Sequence, residues 1–221
     1  MSAASMWTAM QAAIAAVTPY QGSDPVASAA YRAAVGQAMC TAIISEQNSP
    51  VAWDGTNDRI LDVGQFTQDS FTAQTSMPLH IACGDGQIYE MRIVGSYTAA
   101  PAATNPYLQP NNSVPATNSY QMSFSGTYGA GTADNSYIAA AADGGFRLNQ
   151  VAPINNLTAT IWTSTLYKSL QSRARGYETT DGNRWYTVDS IWNDTTTVWS
   201  SLGTVIQPNA WTGQIVCRRI A

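Results

Sequence analysis

Residues 157–167 have the sequence LTATIWTSTLY, and this stretch decides the fold class. Thr158, Thr160, Trp162 and Ser164 stand at every second position and alternate with residues such as Leu157 and Ile161. Because successive side chains of a strand point to opposite faces of a sheet, the alternation predicts a β-strand with one buried face. Further predicted strands, joined by turns at Asn193-Asp194 and Pro208-Asn209, follow at 185–192, 196–206 and 212–220. Short strands at this spacing predict a mainly β protein with an antiparallel β-sandwich of the jelly-roll type.

Upstream of this region, turn signals predict more strands and one long loop. Gly84-Asp85-Gly86 tolerates the positive φ angles of a tight turn and predicts a β-hairpin between 79–83 and 87–98. Two further predicted strands lie at 119–127 and 135–141. Residues 99–118 are rich in Pro, Ala and Asn and predict a long surface loop, a feature that is often functional.

The N-terminal 50 residues have helical rather than strand periodicity. A first helix is predicted over 5–17, with Ser5 as its N-cap, and a second over 25–46, with Asp24 as N-cap and Pro25 in the first turn. We expect a helical hairpin or the seam of a helical oligomer. The predicted assembly interface comprises Trp7, Met10, Ile14, Val17, Tyr31, Val35 and Met39. The predicted domains are therefore an attachment region, 1–50, and a β-domain, 51–221.

Charge is scarce along the whole chain. Charged residues make up 11% of the sequence, against about 25% in a typical soluble domain. The net charge is −4 and Lys168 is the one lysine, so clustered cations for nucleic acid or anionic membranes are missing. No apolar run is long enough to predict membrane insertion. A neutral polar surface can be covered by protein without desolvating ions, which favours packing against other copies of the chain.

Few residues have the spacing that catalysis or metal binding requires. Cys40, Cys83 and Cys217 are far apart, which predicts free thiols rather than a disulfide framework or a zinc site. His80 is the one histidine and is expected to be structural. No phosphate-binding glycine motif occurs, so no cofactor is predicted and the chain is expected not to be an enzyme.

Two weaker sets of residues keep other functions open. Asp54, Asp58 or Asp189 could supply the paired carboxylates of a polysaccharide hydrolase, although turn and capping roles explain the first two more simply. Aromatic rings could also stack on sugars, although core packing is the simpler explanation. These candidate glycan-stacking residues are Trp185, Trp192, Trp199 and Trp211.

The C-terminal segments VWSSLGTV (198–205) and WTGQIVCRRI (211–220) resemble the closing strands of small virion proteins of tailed bacteriophages. The resemblance implies an appendage or decoration protein, such as a head spike, a collar, a tail-fibre base or a receptor-binding piece. It also implies a homo-oligomer, commonly a trimer, that is made in the host cytoplasm, located in the virion and docked on capsid, collar or tail proteins through its N-terminal part. A structural virion component is the first expectation, and a module that binds a host surface glycan is the alternative.

Overall fold

The structure is a computed structural model that describes residues 3–97, 106–113, 120–128, 132–138, 145–148, 156–166, 168–178, 182–192 and 196–221. The chain divides into two compact units, Met1–Pro50 and Val51–Ala221. The helices are α1 (Ala3–Ala15) and α2 (Pro25–Asn48). The strands are β1 (Arg59–Ile60), β2 (Phe66–Pro78), β3 (Ile81–Ala82), β4 (Ile88–Tyr97), β5 (Tyr107–Gln109), β6 (Tyr120–Tyr128), β7 (Thr132–Ile138), β8 (Phe146–Arg147), β9 (Asn156–Thr163), β10 (Lys168–Glu178), β11 (Gly182–Trp192) and β12 (Thr204–Arg219). The predicted fold class is confirmed: the protein is mainly β and antiparallel, with two N-terminal helices.

The two helices of the first unit pack against each other as a hairpin. Asp24 caps α2 as predicted, because its Oδ1 accepts a hydrogen bond from the backbone N–H of Val26 at 2.8 Å. Ser5 lies inside α1, two residues after its first described residue, so its predicted role as N-cap is wrong.

Long strand β12 is the centre of the β unit. One edge pairs with β2, and the other pairs first with β5 and then with β4, all antiparallel. The sheet runs in the order β7-β6-β11-β10-β9-β4-β12-β5-β8. It curves until it is nearly closed, and β8 comes next to β11.

Strand alternation builds the core inside this curved sheet. In β4 the inward side chains are Tyr89, Met91 and Ile93, each fully buried, whereas the outward side chain of Arg92 is exposed. The neighbouring strands repeat this pattern, so one face of the sheet is apolar and the other is polar.

The hairpin predicted around Gly84-Asp85-Gly86 is wrong, although the turn exists. Residues on either side pair elsewhere: β3 forms a small parallel sheet with β1, and β4 lies between β9 and β12. The turn therefore connects two strands of different sheets.

The two strands predicted at 196–206 and 212–220 are not separate strands in the structure. Residues 204–219 form one continuous strand, β12, with register shifts between Ile206 and Trp211 and between Trp211 and Gly213. Pro208 lacks an N–H group for the ladder, so the predicted turn becomes a bulge in β12. Residues 196–200 have no regular strand structure.

The predicted long loop, 99–118, is described only at residues 106–113. There it is no exposed loop, because β5 pairs with both β12 and β8. Pro106, Leu108 and Pro110 are buried, so this part of the segment belongs to the core.

Candidate functional sites

The candidate glycan-stacking tryptophans are mostly core residues. Trp192, Trp199 and Trp211 are 8%, 1% and 0% exposed, so a sugar ring cannot stack on them. The side chain of Trp185 lies outside the described part of the structure. Trp192 and Trp199 pack edge to face, with ring centroids 5.8 Å apart, and Phe146 packs on both. The glycan-stacking hypothesis for the three described rings is therefore corrected to core packing.

Asp54, a candidate hydrolase carboxylate, has a turn role. Its Oδ1 accepts hydrogen bonds from the backbone N–H groups of Thr56 and Asn57, both at 2.8 Å, and its Oδ2 accepts one from the Asn57 amide. The backbone hydrogen bonds from Asn57 and Thr56 lower the pKa of Asp54. A general acid of a glycosidase needs a raised pKa, so Asp54 is poorly suited to that role.

Asp58 lies beside His80. The apolar residues around His80 predicted that it lies in a strand, and this prediction is wrong. His80 lies between β2 and β3 at a positive φ of 49°. Its ring stacks on Trp53, with centroids 3.6 Å apart, and its Nδ1 lies 3.5 Å from Asp58 Oδ1. Trp53 is 42% exposed, a surface aromatic residue that the sequence analysis did not identify.

Asp189 lies far along the chain from these carboxylates, on the outer face of β11. It is exposed, and its Oδ1 accepts a hydrogen bond from the Gln171 amide of β10 at 2.7 Å. Trp162 of β9 is partly exposed on the same face, and together with Gln171, Asp189 and Ile191 it lines a cavity of about 230 Å³.

A second cavity, of about 630 Å³, lies next to the first along β10. Arg173 and Arg175 line it with Asn156, Thr158 and Thr187. This cavity was not predicted from the sequence. The signal that could have indicated it is the spacing of Arg173 and Arg175, because residues two apart in a strand share a face.

The predicted helical interface is only partly covered within the hairpin. Trp7 is 57% exposed, and the other predicted interface residues are half-buried. No described side chain of the helical unit is fully buried. A groove of about 620 Å³ runs between α1 and α2, with alanines, Gln37 and Thr41 along its walls.

The three cysteines are free thiols in different environments. Cys40 is exposed, Cys83 is partly buried and Cys217 is buried. Burial raises the pKa of Cys83 to about 12, with a smaller contribution from the charge of Asp58. Burial likewise raises the pKa of Cys217 to about 12, with a contribution from Asp69.

We expect iodoacetamide at pH 8 to leave Cys83 and Cys217 unmodified in the folded protein and to label all three cysteines in denaturant. The thiolate is the reactive form, and at pH 8 a thiol of pKa about 12 is ionised in about one molecule in ten thousand. Peptide mass spectrometry after timed labelling measures this. Rapid native labelling of Cys83 would contradict the burial described.

Within the described ranges, no group of His, Cys, Asp and Glu side chains has the geometry of a metal site. The helices described are also too short or too polar to span a bilayer. No protein-family model, curated protein or solved structure matches this chain.

Proposed function

We propose that the chain is an oligomeric structural protein that assembles with copies of itself through its helical unit and displays its β unit. The observation that carries this proposal is that the helical unit has apolar side chains but, among those described, none that is fully buried. A folded unit gains its stability mainly by removing apolar surface from water. A hairpin whose described apolar side chains are all at least partly exposed therefore gains stability by packing on another surface.

A second copy of the same hairpin is the partner that best fits the exposed surface of α1 and α2. The groove between α1 and α2 is walled mainly by alanine, and small side chains let another helix approach closely. Asp24, Arg32 and Glu46 are the charged side chains among residues 1–50, so copies can associate with little repulsion and without burying many ions.

The C-terminal resemblance supports placing this assembly in a tailed-phage virion. Such an appendage or decoration would contact capsid, collar or tail proteins as well as its own copies. The resemblance rests on 198–205 and 211–220, and Trp199, Leu202 and Trp211 of these segments are core residues of the β unit. The proposal thus separates a β unit with its own core from a helical unit whose described side chains include none that is fully buried.

Removal of residues 1–50 is expected to convert the oligomer to monomers. The β unit should stay folded, because it is a separate compact unit with a buried core. Mass photometry of the full chain and of residues 51–221 measures the change, and circular dichroism checks the fold. Unchanged oligomers after truncation would assign assembly to the sheet, and a monomeric full chain would rule the proposal out.

A substitution in the full chain tests the same interface without truncation. Trp7→Glu is expected to weaken association at least tenfold, because it places a charge on an exposed apolar position of α1. Gln11→Glu adds the same charge at an exposed polar position of α1 and should leave association almost unchanged. Equal behaviour of the two variants would exclude Trp7 from the interface.

A further inference from the structure

The outer face of β9, β10 and β11 carries three kinds of side chain in neighbouring rows. Strand pairing aligns Thr158, Arg173 and Thr187 in one row and Thr160, Gln171 and Asp189 in the next. A third row aligns Trp162, Ser169 and Ile191. Along each strand the rows are about 7 Å apart, so the face changes from basic to amide and carboxylate to apolar over roughly 14 Å.

Within the described part of the chain, the arginines at the basic end of this face have no acidic partners. Arg173 and Arg175 are exposed, and neither forms an ion pair or hydrogen bond with any residue that the structure describes. Arg92, on β4, extends the row of Arg173 through Thr158. In a chain with a net charge of −4, a cavity lined by two guanidinium groups that have no described partner favours an anionic ligand.

We propose that this face binds a carboxylated saccharide that lies along β10. Arg173 and Arg175 hold the sugar carboxylate, since a guanidinium group matches a carboxylate with two parallel hydrogen bonds. Asn156 and Thr158 in the larger cavity and Gln171 and Asp189 in the smaller one can donate to and accept from ring hydroxyl groups. Trp162 supplies an apolar platform for a sugar ring at the other end.

The same arrangement disfavours nucleic acid. Glu90 and Asp189 lie in the row next to the arginines, where they repel a continuous phosphate backbone. Phosphate backbones also need more clustered cations than this face offers. This site uses no residue of the helical unit, so it goes beyond the proposed assembly function and can be tested separately from it.

Isothermal titration calorimetry of the full chain with oligogalacturonate and with sialyllactose tests the proposal. We expect at least one of the two to bind, and its neutral counterpart, the methyl ester or lactose, to bind at least tenfold more weakly. Arg173→Gln/Arg175→Gln and Trp162→Ala should each weaken binding of the acidic saccharide at least tenfold. Both variants change outer-face side chains, and circular dichroism shows whether they remain folded.

Arg218→Ala is the matched control, because it removes an exposed arginine from the same face on β12, three strands from β10. It should bind the acidic saccharide as the natural chain does. Equal weakening by this control and by the double variant would overturn the proposal, as would equal affinity for charged and neutral saccharides. No binding of either acidic saccharide at millimolar concentration would also overturn it.

Hexaglutamate bound as tightly as the acidic saccharide would show an anion site without sugar selectivity and would overturn the saccharide assignment.

Discussion

Replacement of Asp69 by alanine is expected to lower the free energy of unfolding by about 3–5 kcal/mol, because it leaves the buried guanidinium group of Arg59 without its counterion. The side chain of Arg59 is 4% exposed, and its Nη1 and Nη2 lie 2.9 and 2.6 Å from the two carboxylate oxygens of Asp69. Urea unfolding followed by tryptophan fluorescence measures the loss.

Arg59 also connects the segment before β2 to the rest of the unit. Its Nε donates to the carbonyl of His80 at 3.1 Å, its Nη1 to that of Val51 at 3.2 Å, and its Nη2 to that of Leu79. All five N–H groups of the guanidinium are therefore used. A buried arginine with every donor satisfied fixes one geometry and depends strongly on its carboxylate partner.

Two further variants separate the ion pair from a general effect of removing a carboxylate. Asp189→Ala removes an exposed aspartate, and the expected loss is below about 1 kcal/mol. The double variant Arg59→Met/Asp69→Ala should be less destabilised than the two single losses summed, because no unpaired charge stays buried. Additive losses, or equal losses for Asp69→Ala and Asp189→Ala, would contradict the described pair.

The sequence predicts a strand well where the inward face carries large apolar side chains. Leu157 and Ile161 alternate with neighbouring residues, and the strand predicted over 157–167 is observed as β9, which starts one residue earlier and ends four residues earlier. Strand β10 was missed, since its inward positions are Lys168, Leu170, Ser172 and Ala174, which show little hydrophobic alternation. Its burial depends on the strands on either side, which local periodicity does not reveal.

The outer-face site could not be predicted from the sequence for a related reason. Arg92 and Arg173 are far apart in the chain, and they share a row only because β4, β9 and β10 pair in one register. A shift of one residue in either pairing would move one arginine to the inner face. Register between distant strands is set by the whole core, so no local pattern predicts this neighbourhood.

Trp199→Ala is the second change expected to have a large effect, lowering the free energy of unfolding by about 3–5 kcal/mol. The ring is 1% exposed and lies 5.3 Å from Phe146 and 5.8 Å from Trp192, between centroids. Because β8 carries Phe146 and β11 carries Trp192, the ring of Trp199 fills the space where β8, the last strand of the sheet order, comes next to β11. The cavity left by alanine would remove contacts on both sides.

The backbone around Trp199 makes collapse of that cavity difficult. The carbonyl of Val198 accepts a hydrogen bond from the side-chain amide of Asn111 at 3.1 Å, and the carbonyl of Ser200 accepts one from Cys83 N–H at 2.9 Å. A segment held on both sides of the vacated position relaxes little, and large-to-small substitutions cost more where the surroundings cannot close. Trp199→Phe keeps an aromatic ring there and should lower the free energy of unfolding clearly less than Trp199→Ala does.

Trp162→Ala is the matched control, because it removes the same side chain from the outer face, where the expected loss is about 1 kcal/mol or less. The two tryptophans should therefore respond in opposite ways. Trp199→Phe is expected to reduce stability and leave binding of the acidic saccharide unchanged, whereas Trp162→Ala should weaken that binding at least tenfold with little change in the urea midpoint. Equal destabilisation by Trp162→Ala and Trp199→Ala would contradict this division, in which the buried tryptophans close the sheet and the outward one contacts ligand.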